Sequence, residues 1–366
     1  MPIGKDYDWF EYGRYRLSQY NQCEAVRQAM PNLPKKFFVR DMTMKAGATH
    51  EPGCFLDVRD VLKIVGKLVE IGVPELDCGR CYSQRDLEVM RQVKKAKLDI
   101  ELCASVGEYD RPGIVLDKKH YHKYIDICFK NGADNIKLNW ESGTMVTLRP
   151  KEIMLRGIPV ILDAINYIHE EHNDAEVSLS TADNPRLPMD TQLYFYKKAV
   201  DAGINRLWIS DEGNANPCAY KYVVSEFRKV CSDTPFVLHV HNNWGLGLAN
   251  ILAGVEAGGP PPVWADLSIN GIGLAAAIDE VVLALEFLYG IDTGIKLNKL
   301  YEMNKVAEQV TGIDPYWLKP HTGKTSHIEN VGDVVLGFRP PEKQFEDPVT
   351  MTFNYEIIGA PSETRA

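Results

Sequence analysis

The chain has 366 residues, 45% hydrophobic and 25% charged, enough to bury a large core in one big domain or in one domain with an appendage. A net charge of −9 argues against nucleic acid or an anionic membrane as the main partner, and no apolar run is long enough to cross a bilayer. The opening MPIGKDYDWFEYGRY lacks the basic-then-apolar layout of a secretory signal, so a cytoplasmic setting is expected.

Residues 1–35 are rich in Tyr, Trp, Phe and charge and read as an N-terminal extension, a cap or a subunit contact. From residue 36, eight strand-like runs follow: 36–41, 73–78, 98–105, 135–140, 175–181, 206–211, 236–241 and 264–269. Between them lie helical patterns such as DVLKIVGKLVEIG, DLEVMRQVKKAK, YHKYIDICFKNGA, IPVILDAINYIHEEH and QLYFYKKAVDAGI. Several end in glycine just before the next strand, the stop signal expected of a helix. Strands alternating with helices imply a parallel sheet, and eight such units close into a (β/α)8 TIM barrel of about 250 residues. An open doubly wound sheet is the rival, but the first strand runs into RDMTMKAG rather than a glycine-rich phosphate turn. The barrel is placed at 36–289. Residues 290–366 form a short C-terminal segment with one helical pattern, NKLYEMNKVAEQVTG, and a loop-rich tail.

The eight cysteines are scattered and mostly sit in apolar runs, as buried small residues do. Cys78 and Cys81 form a lone C-x-x-C. A zinc ribbon needs a second pair, and a redox pair needs to open a helix.

In such a barrel the active site lies at the carboxyl ends of the strands. Those ends carry Arg40, Asp41, Asp77, Ser105, Asn139, Thr181, Asp183, Asp211, Glu212, His239, His241 and Asn270. His239 and His241, two apart on one strand, point to the same side. They are either half of a divalent metal site or a packed, hydrogen-bonded pair. A carboxylate at Asp41 would complete a facial set with open positions for substrate.

The chain resembles the barrel metalloenzymes that include 3-hydroxy-3-methylglutaryl-CoA (HMG-CoA) lyase, 4-hydroxy-2-oxovalerate aldolase and the isopropylmalate, citramalate and homocitrate synthases, the pyruvate carboxyltransferase-like barrels. The resemblance covers roughly 36–335. It rests on Arg40-Asp41 ending strand 1, HVHNNWGLGLANILAGVEAG at strand 7 and SINGIG after strand 8. SDEGNANP after strand 6 and TADNPR after strand 5 are also similar, and KPHTGKTSHIENVG matches the stretch that follows the barrel in the synthases. There are departures. Met42, Thr43 and Met44 replace the usual G-x-Q, Glu212 replaces a threonine that contacts the 2-oxo acid carboxylate, and G-E-R-x-G-N becomes GLAAAI, with Leu274, Ala275 and Ile278 at its polar positions.

The resemblance implies a divalent cation (Mg2+, Mn2+, Zn2+, Co2+ or Fe2+) on Asp41, His239 and His241, and a homodimer. It implies condensation of an acyl-CoA with a 2-oxo acid, with cleavage of a hydroxy acid or its thioester as the alternative and a non-catalytic barrel as a further one. Arg40 is expected to stabilise the developing oxyanion, or else to form a structural pair with Asp77 or Glu75. His327 with Glu329, or Glu212 or Asp77, would transfer the proton. Asn139, Thr181, Arg186 and Asn270 are expected at the substrate, and Lys45 and His50 can meet a phosphate or carboxylate.

Overall fold

The computed structural model describes residues 18, 20–49, 54, 56–80, 82–107, 117–140, 150–173, 175–315, 319–324, 326, 328–330, 355–360 and 363–365. Eight parallel strands form the closed barrel: β1 (Phe37–Asp41), β2 (Glu75–Arg80), β3 (Glu101–Val106), β4 (Asn135–Asn139), β5 (Val177–Ser180), β6 (Arg206–Asp211), β7 (Phe236–Val240) and β8 (Val263–Leu267). Pairing of β1 with β8, from Phe37 opposite Val263 to Asp41 opposite Leu267, closes the ring. All eight expected strands are present, and the TIM-barrel expectation holds.

The crossovers are α3 (Val58–Ile71), α4 (Gln84–Lys95), α5 (Lys118–Lys130), α6 (Pro150–Glu171), α7 (Met189–Asp201), α8 (Pro217–Val230) and α9 (Gly247–Gly258). Two shorter helices, α1 (Glu24–Gln28) and α2 (Thr43–Thr49), precede them, and α10 (Ile278–Ala284) and α11 (Leu300–Thr311) follow. Local chemistry fixes several ends. Asp57, Ser83, Asp117 and Asn216 each accept a backbone N–H from the residue three further on, capping α3, α4, α5 and α8. Each such cap is worth about 1 kcal/mol. Gly72, Gly132 and Gly203 take the left-handed stop conformation that the sequence pattern expects. Helix α6 begins at Pro150 rather than near 158, because it runs on through Pro159, a residue that reads as a first turn.

The apolar core lies between barrel and helices. Val39, Leu76, Leu102, Ile136, Leu207 and Leu238 are fully or almost fully buried there. Beyond the barrel, the segment 319–324 is tied back to α10: Lys319 Nζ donates to Asp279 and to Thr322 Oγ1 (2.8 Å), and Thr322 Oγ1 donates to Asp279 Oδ2 (2.6 Å). Strands β9 (Ile328–Asn330) and β10 (Glu363–Arg365) pair in parallel. No described helix is long and apolar enough to cross a membrane.

Candidate functional site

The barrel's interior is charged. Register places Arg40 level with Glu75 on one side and Asp266 on the other, and Asp266 level with His239. The Arg40 guanidinium is wholly buried. Its Nη1 donates to Asp266 Oδ1 at 2.6 Å and to Asp77 Oδ2 at 3.2 Å, and its Nε donates to Glu75. Arg206 Nη2 donates to Glu75 Oε2 at 2.6 Å, and Lys137 Nζ stands 3.4 Å from Asp77 Oδ2. Arg40 Cζ and Lys137 Nζ both lie over the Trp208 ring, 4.6 and 4.0 Å from its centre, where the ring's negative face attracts them. The structural pairing of Arg40 with Glu75 and Asp77 is therefore real. Yet among the described residues Arg40 Nη2 has no hydrogen-bond partner, a buried donor left over.

Burial alone would push the Asp77 carboxyl up. Lys137, Lys45 and Arg40 together outweigh it and hold the group well below the usual carboxylate range. A carboxylate so held is an anchor for cations, unsuited to carrying a proton near neutrality.

Toward the mouth, β7 carries one imidazole, His239, on the level of Arg40 and Asp266, and the second, His241, follows just past the strand's end, one level further out. His239 Nε2 and His241 Nε2 are 3.2 Å apart, and His239 Nδ1 is 2.9 Å from Asp266 Oδ2. Asp266 can only accept, so Nδ1 carries the proton and Nε2 presents its lone pair toward His241. Glu212, after β6, brings Oε2 to 3.2 Å from His241 Nε2 and Oε1 to 4.0 Å from His239 Nε2. Ligand atoms of Glu212, His239 and His241 all lie within 4.8 Å of one another, the one such group of His, Cys, Asp and Glu among the described residues. Two imidazoles and a carboxylate with lone pairs facing a common point suit a divalent cation. Burial raises the Glu212 carboxyl, and the neighbouring His239 opposes the rise.

Glu212 is placed by its neighbours. Gly213 takes φ +80°, and a Cβ there would come within 2.8 Å of the Asn243 side chain, whose Nδ2 donates to the Glu212 carbonyl at 3.1 Å. From the β5 side, Asp183 Oδ1 accepts Asn214 Nδ2 at 3.0 Å and the Glu212 N–H at 3.4 Å.

The other expected residues are spread around this centre. Asp41 is not among those whose ligand atoms converge. Thr43 donates to both of its oxygens, from N at 3.1 Å and from Oγ1 at 2.6 Å. Burial raises the Asp41 carboxyl to about 7 despite those bonds. Asn139 is buried at the end of β4, with Nδ2 donating to the Lys137 carbonyl at 3.4 Å. The Thr181 hydroxyl meets Tyr196 Oη at 3.0 Å. Arg186 is exposed and pairs with Asp183 at 3.1 Å. Asn270 takes φ +57° and donates from Nδ2 to the Asn304 carbonyl of α11 at 3.2 Å. His327, His50 and Cys81 lie outside the described residues, and the Glu329 backbone lies in β9. Cys78 is buried within β2 and opens no helix, since α4 begins only at Gln84.

Asp266 and Lys137 were not singled out from the sequence. The available signal was a charge flanked on both sides by apolar residues within a strand, Asp266 between Ala265 and Leu267 and Lys137 between Ile136 and Leu138.

Fold and site define a (β/α)8 barrel whose carboxyl mouth can hold a divalent cation on two imidazoles and a carboxylate. Residues 37–307 match the model of the HMGL-like family, and the chain belongs to that family. The 2-isopropylmalate synthase of Methanocaldococcus jannaschii is 32% identical over 323 residues, 84% of this chain and 58% of that protein. The chain thus spans less than two thirds of that relative's length. Homocitrate synthase AksA of Methanothermobacter thermautotrophicus is 25% identical, over 89% of this chain and 81% of its own. The crystal structure of hydroxymethylglutaryl-CoA lyase from Pseudomonas aeruginosa has the same fold, with a TM-score of 0.61, 17% identity, and coverage of 81% of this chain and 97% of that one.

Proposed function

We propose that the protein is an acyltransferase that forms a carbon–carbon bond between an acyl-CoA and a 2-oxo acid at a divalent cation. The observation that carries this reading is the convergence of Glu212, His239 and His241 at the barrel mouth, beside a buried arginine that shares its carboxylate, Asp266, with His239. The names of the synthase relatives support it. His239, His241 and Glu212 would hold the cation, one of Mg2+, Mn2+, Zn2+, Co2+ or Fe2+, with Asp41 as the further carboxylate. The bound cation would supply Lewis acidity to the keto carbonyl.

The chain's own groups do the rest. Asp266 fixes the His239 ring so that Nε2 faces the site. Arg40, immobilised by Glu75, Asp77 and Asp266, turns its unpaired Nη2 to the oxygen on which charge develops. Such a donor needs no reorganisation during reaction. Proton transfer falls to His327 with Glu329, on the motif that follows the barrel, since Asp77 is kept ionised and Glu212 is committed to the cation. Asn139, Thr181, Arg186 and Asn270 are assigned to the surroundings of the substrate, directly or through the loops they brace. The unit 36–289 is the catalytic barrel in this reading, flanked by 1–35 and 290–366, and it acts as a homodimer in the cytoplasm.

The test is release of free thiol from a panel of acyl-CoAs mixed with pyruvate, glyoxylate, oxaloacetate or 2-oxoglutarate, with Mn2+ or Mg2+ present. Thiol release with one pair, abolished by chelation, is expected. Cleavage of a hydroxy acid or its thioester, with no thiol released from any pair, would replace this reading by a lyase.

A further inference from the structure

Among the ions of the barrel interior stands a large aromatic ring. Trp208, in β6, is 2% exposed, and its chain neighbours Leu207 and Ile209 belong to the apolar core outside the strands. Trp208 faces the other way, because successive residues of a strand point to opposite sides. Its ring centre lies 5.8 Å from that of His239, 4.6 Å from Arg40 Cζ and 4.0 Å from Lys137 Nζ. The indole is fixed at its edge, where Nε1 donates to Ser178 Oγ at 3.1 Å. That bond lies in the ring plane and leaves the π-face to the cations. Tyr196 Oη donates to the Trp208 carbonyl at 2.9 Å and holds the backbone from the α7 side.

Arg40 and Lys137 are like charges that share one oxygen, Asp77 Oδ2, at 3.2 and 3.4 Å. The ring's negative face attracts both. A further carboxylate could also steady them. It would bring lone pairs beside His239, able to draw the divalent cation or take up a proton, whereas an indole face does neither. The ring has a second effect, on orientation. The ion pairs of Arg40 engage Nε and Nη1 and leave the guanidinium able to tilt about the line that joins them. Contact of Cζ with the ring stops that tilt and fixes where Nη2 lies.

We propose that Trp208 is a positioning residue: its π-face holds Arg40 and Lys137 beside His239 in place of a further carboxylate, and through Arg40 it sets the rate of the bond-forming step. This rests on the role given to Arg40 above. A desolvated cation–π contact is worth more than an exposed one, so its loss is large enough to read in turnover.

Fluorination tests this without changing the shape of the ring. Each fluorine drains negative charge from the indole face and adds little bulk. Trp208 is replaced site-specifically by mono-, di- and trifluorinated tryptophan, with Trp208→Phe and Trp208→Leu alongside. Turnover should fall stepwise along the series, by about tenfold to thirtyfold at the trifluorinated ring, the range of one desolvated cation–π contact. KM and calorimetric Mn2+ affinity should stay within about twofold, because Arg40 acts on the developing charge and the imidazoles are untouched. In chelator, with no cation bound, the unfolding constant from urea curves should rise in the same order. Trp208→Phe, which keeps a π-face, should retain more turnover than Trp208→Leu, and the reverse order overturns the proposal. A flat series in turnover, or in stability under chelator, also overturns it, because a ring that merely fills space is indifferent to its fluorines. So does a fall in turnover matched by a fall in Mn2+ affinity, since the ring would then act on His239. Each of these leaves the acyltransfer reading intact. Wild-type protein that releases no thiol from any acyl-CoA and 2-oxo acid pair overturns that reading, and the role of Trp208 with it.

Discussion

Replacing Asp266 by asparagine tests how the barrel floor supports the mouth. The Asp266 carboxylate is fully buried and accepts from both sides, Arg40 Nη1 at 2.6 Å and His239 Nδ1 at 2.9 Å. Asparagine has one accepting oxygen and one donating nitrogen, so it can satisfy only one of the two. If the amide nitrogen faces His239, Nδ1 must accept, the proton moves to Nε2, and the lone pair needed for a cation is gone. If it faces Arg40, two donors oppose each other beside a guanidinium that has lost one of three carboxylates. Loss of a supporting carboxylate behind a ligating histidine typically weakens metal binding by about 10–100-fold, or about 1.4–2.8 kcal/mol. Leaving a buried charge without its sole partner costs about 3–5 kcal/mol. Arg40 retains Glu75 and Asp77, which brings the expected loss of stability down to about 2–3 kcal/mol. Calorimetric titration with Mn2+ reads the first effect, and urea unfolding in the presence of chelator reads the second. Wild-type Mn2+ affinity in a folded Asp266→Asn protein would refute the claim that Asp266 sets the histidine's tautomer.

Glu212→Gln should weaken Mn2+ binding by at least tenfold and more than Asp41→Asn does, measured by the same titration, because Glu212 lies in the converging set and Asp41 does not. Gly213→Ala must accommodate both φ +80° and the Asn243 side chain at 2.8 Å. It should cost about 1–2 kcal/mol in urea unfolding and lower turnover by displacing Glu212, whereas unchanged activity would separate that turn from the site. Arg40→Lys keeps the charge but cannot bridge Glu75, Asp77 and Asp266 at once. Turnover should fall at least a hundredfold with KM little changed, read by steady-state kinetics. Burial lowers His321 to about 4, with nearby Asp279 opposing, so the unfolded chain takes up this proton first as pH falls. Stability should drop between about pH 6.5 and 4, by on the order of 3 kcal/mol. In His321→Asn, whose side chain suits the left-handed backbone at 321, that part of the slope should vanish in unfolding curves taken across this range.

The barrel was legible because each unit repeats the same local grammar: an apolar run, a turn, an amphipathic helix and a glycine stop. The imidazole pair was legible for a related reason, since alternation on a strand sends both rings to one side. The third member of the close set was harder to find. Asp41 is nearest to a strong motif, but where its carboxylate goes depends on Thr43, two residues on, which takes both oxygens. Glu212 joins the histidines through the Gly213 turn and the support of Asp183 and Asn243, contacts across three loops that no local pattern encodes. Thr181 and Asn270 were expected at the substrate because of where they lie along the chain. Their side chains meet Tyr196 and the Asn304 carbonyl, partners fixed by helix packing that no local pattern gives. Of the charged floor, the pairing of Arg40 with Glu75 and Asp77 was legible, but Asp266 and Lys137 were not, because an isolated Asp or Lys in a strand announces neither its partner nor its level in the barrel.

Each ionic group on that floor answers to more than one neighbour: Glu75 to Arg40 and Arg206, Asp77 to Arg40 and Lys137, Asp266 to Arg40 and His239. Such an interlocked lattice resists piecemeal revision, because a lone exchange strands a charge with nowhere to ionise. Descendants of this chain can vary the loops around the rim one position at a time. The floor beneath must be inherited whole or rewritten in compensating sets, so new specificities should accumulate at the rim while the floor stays put.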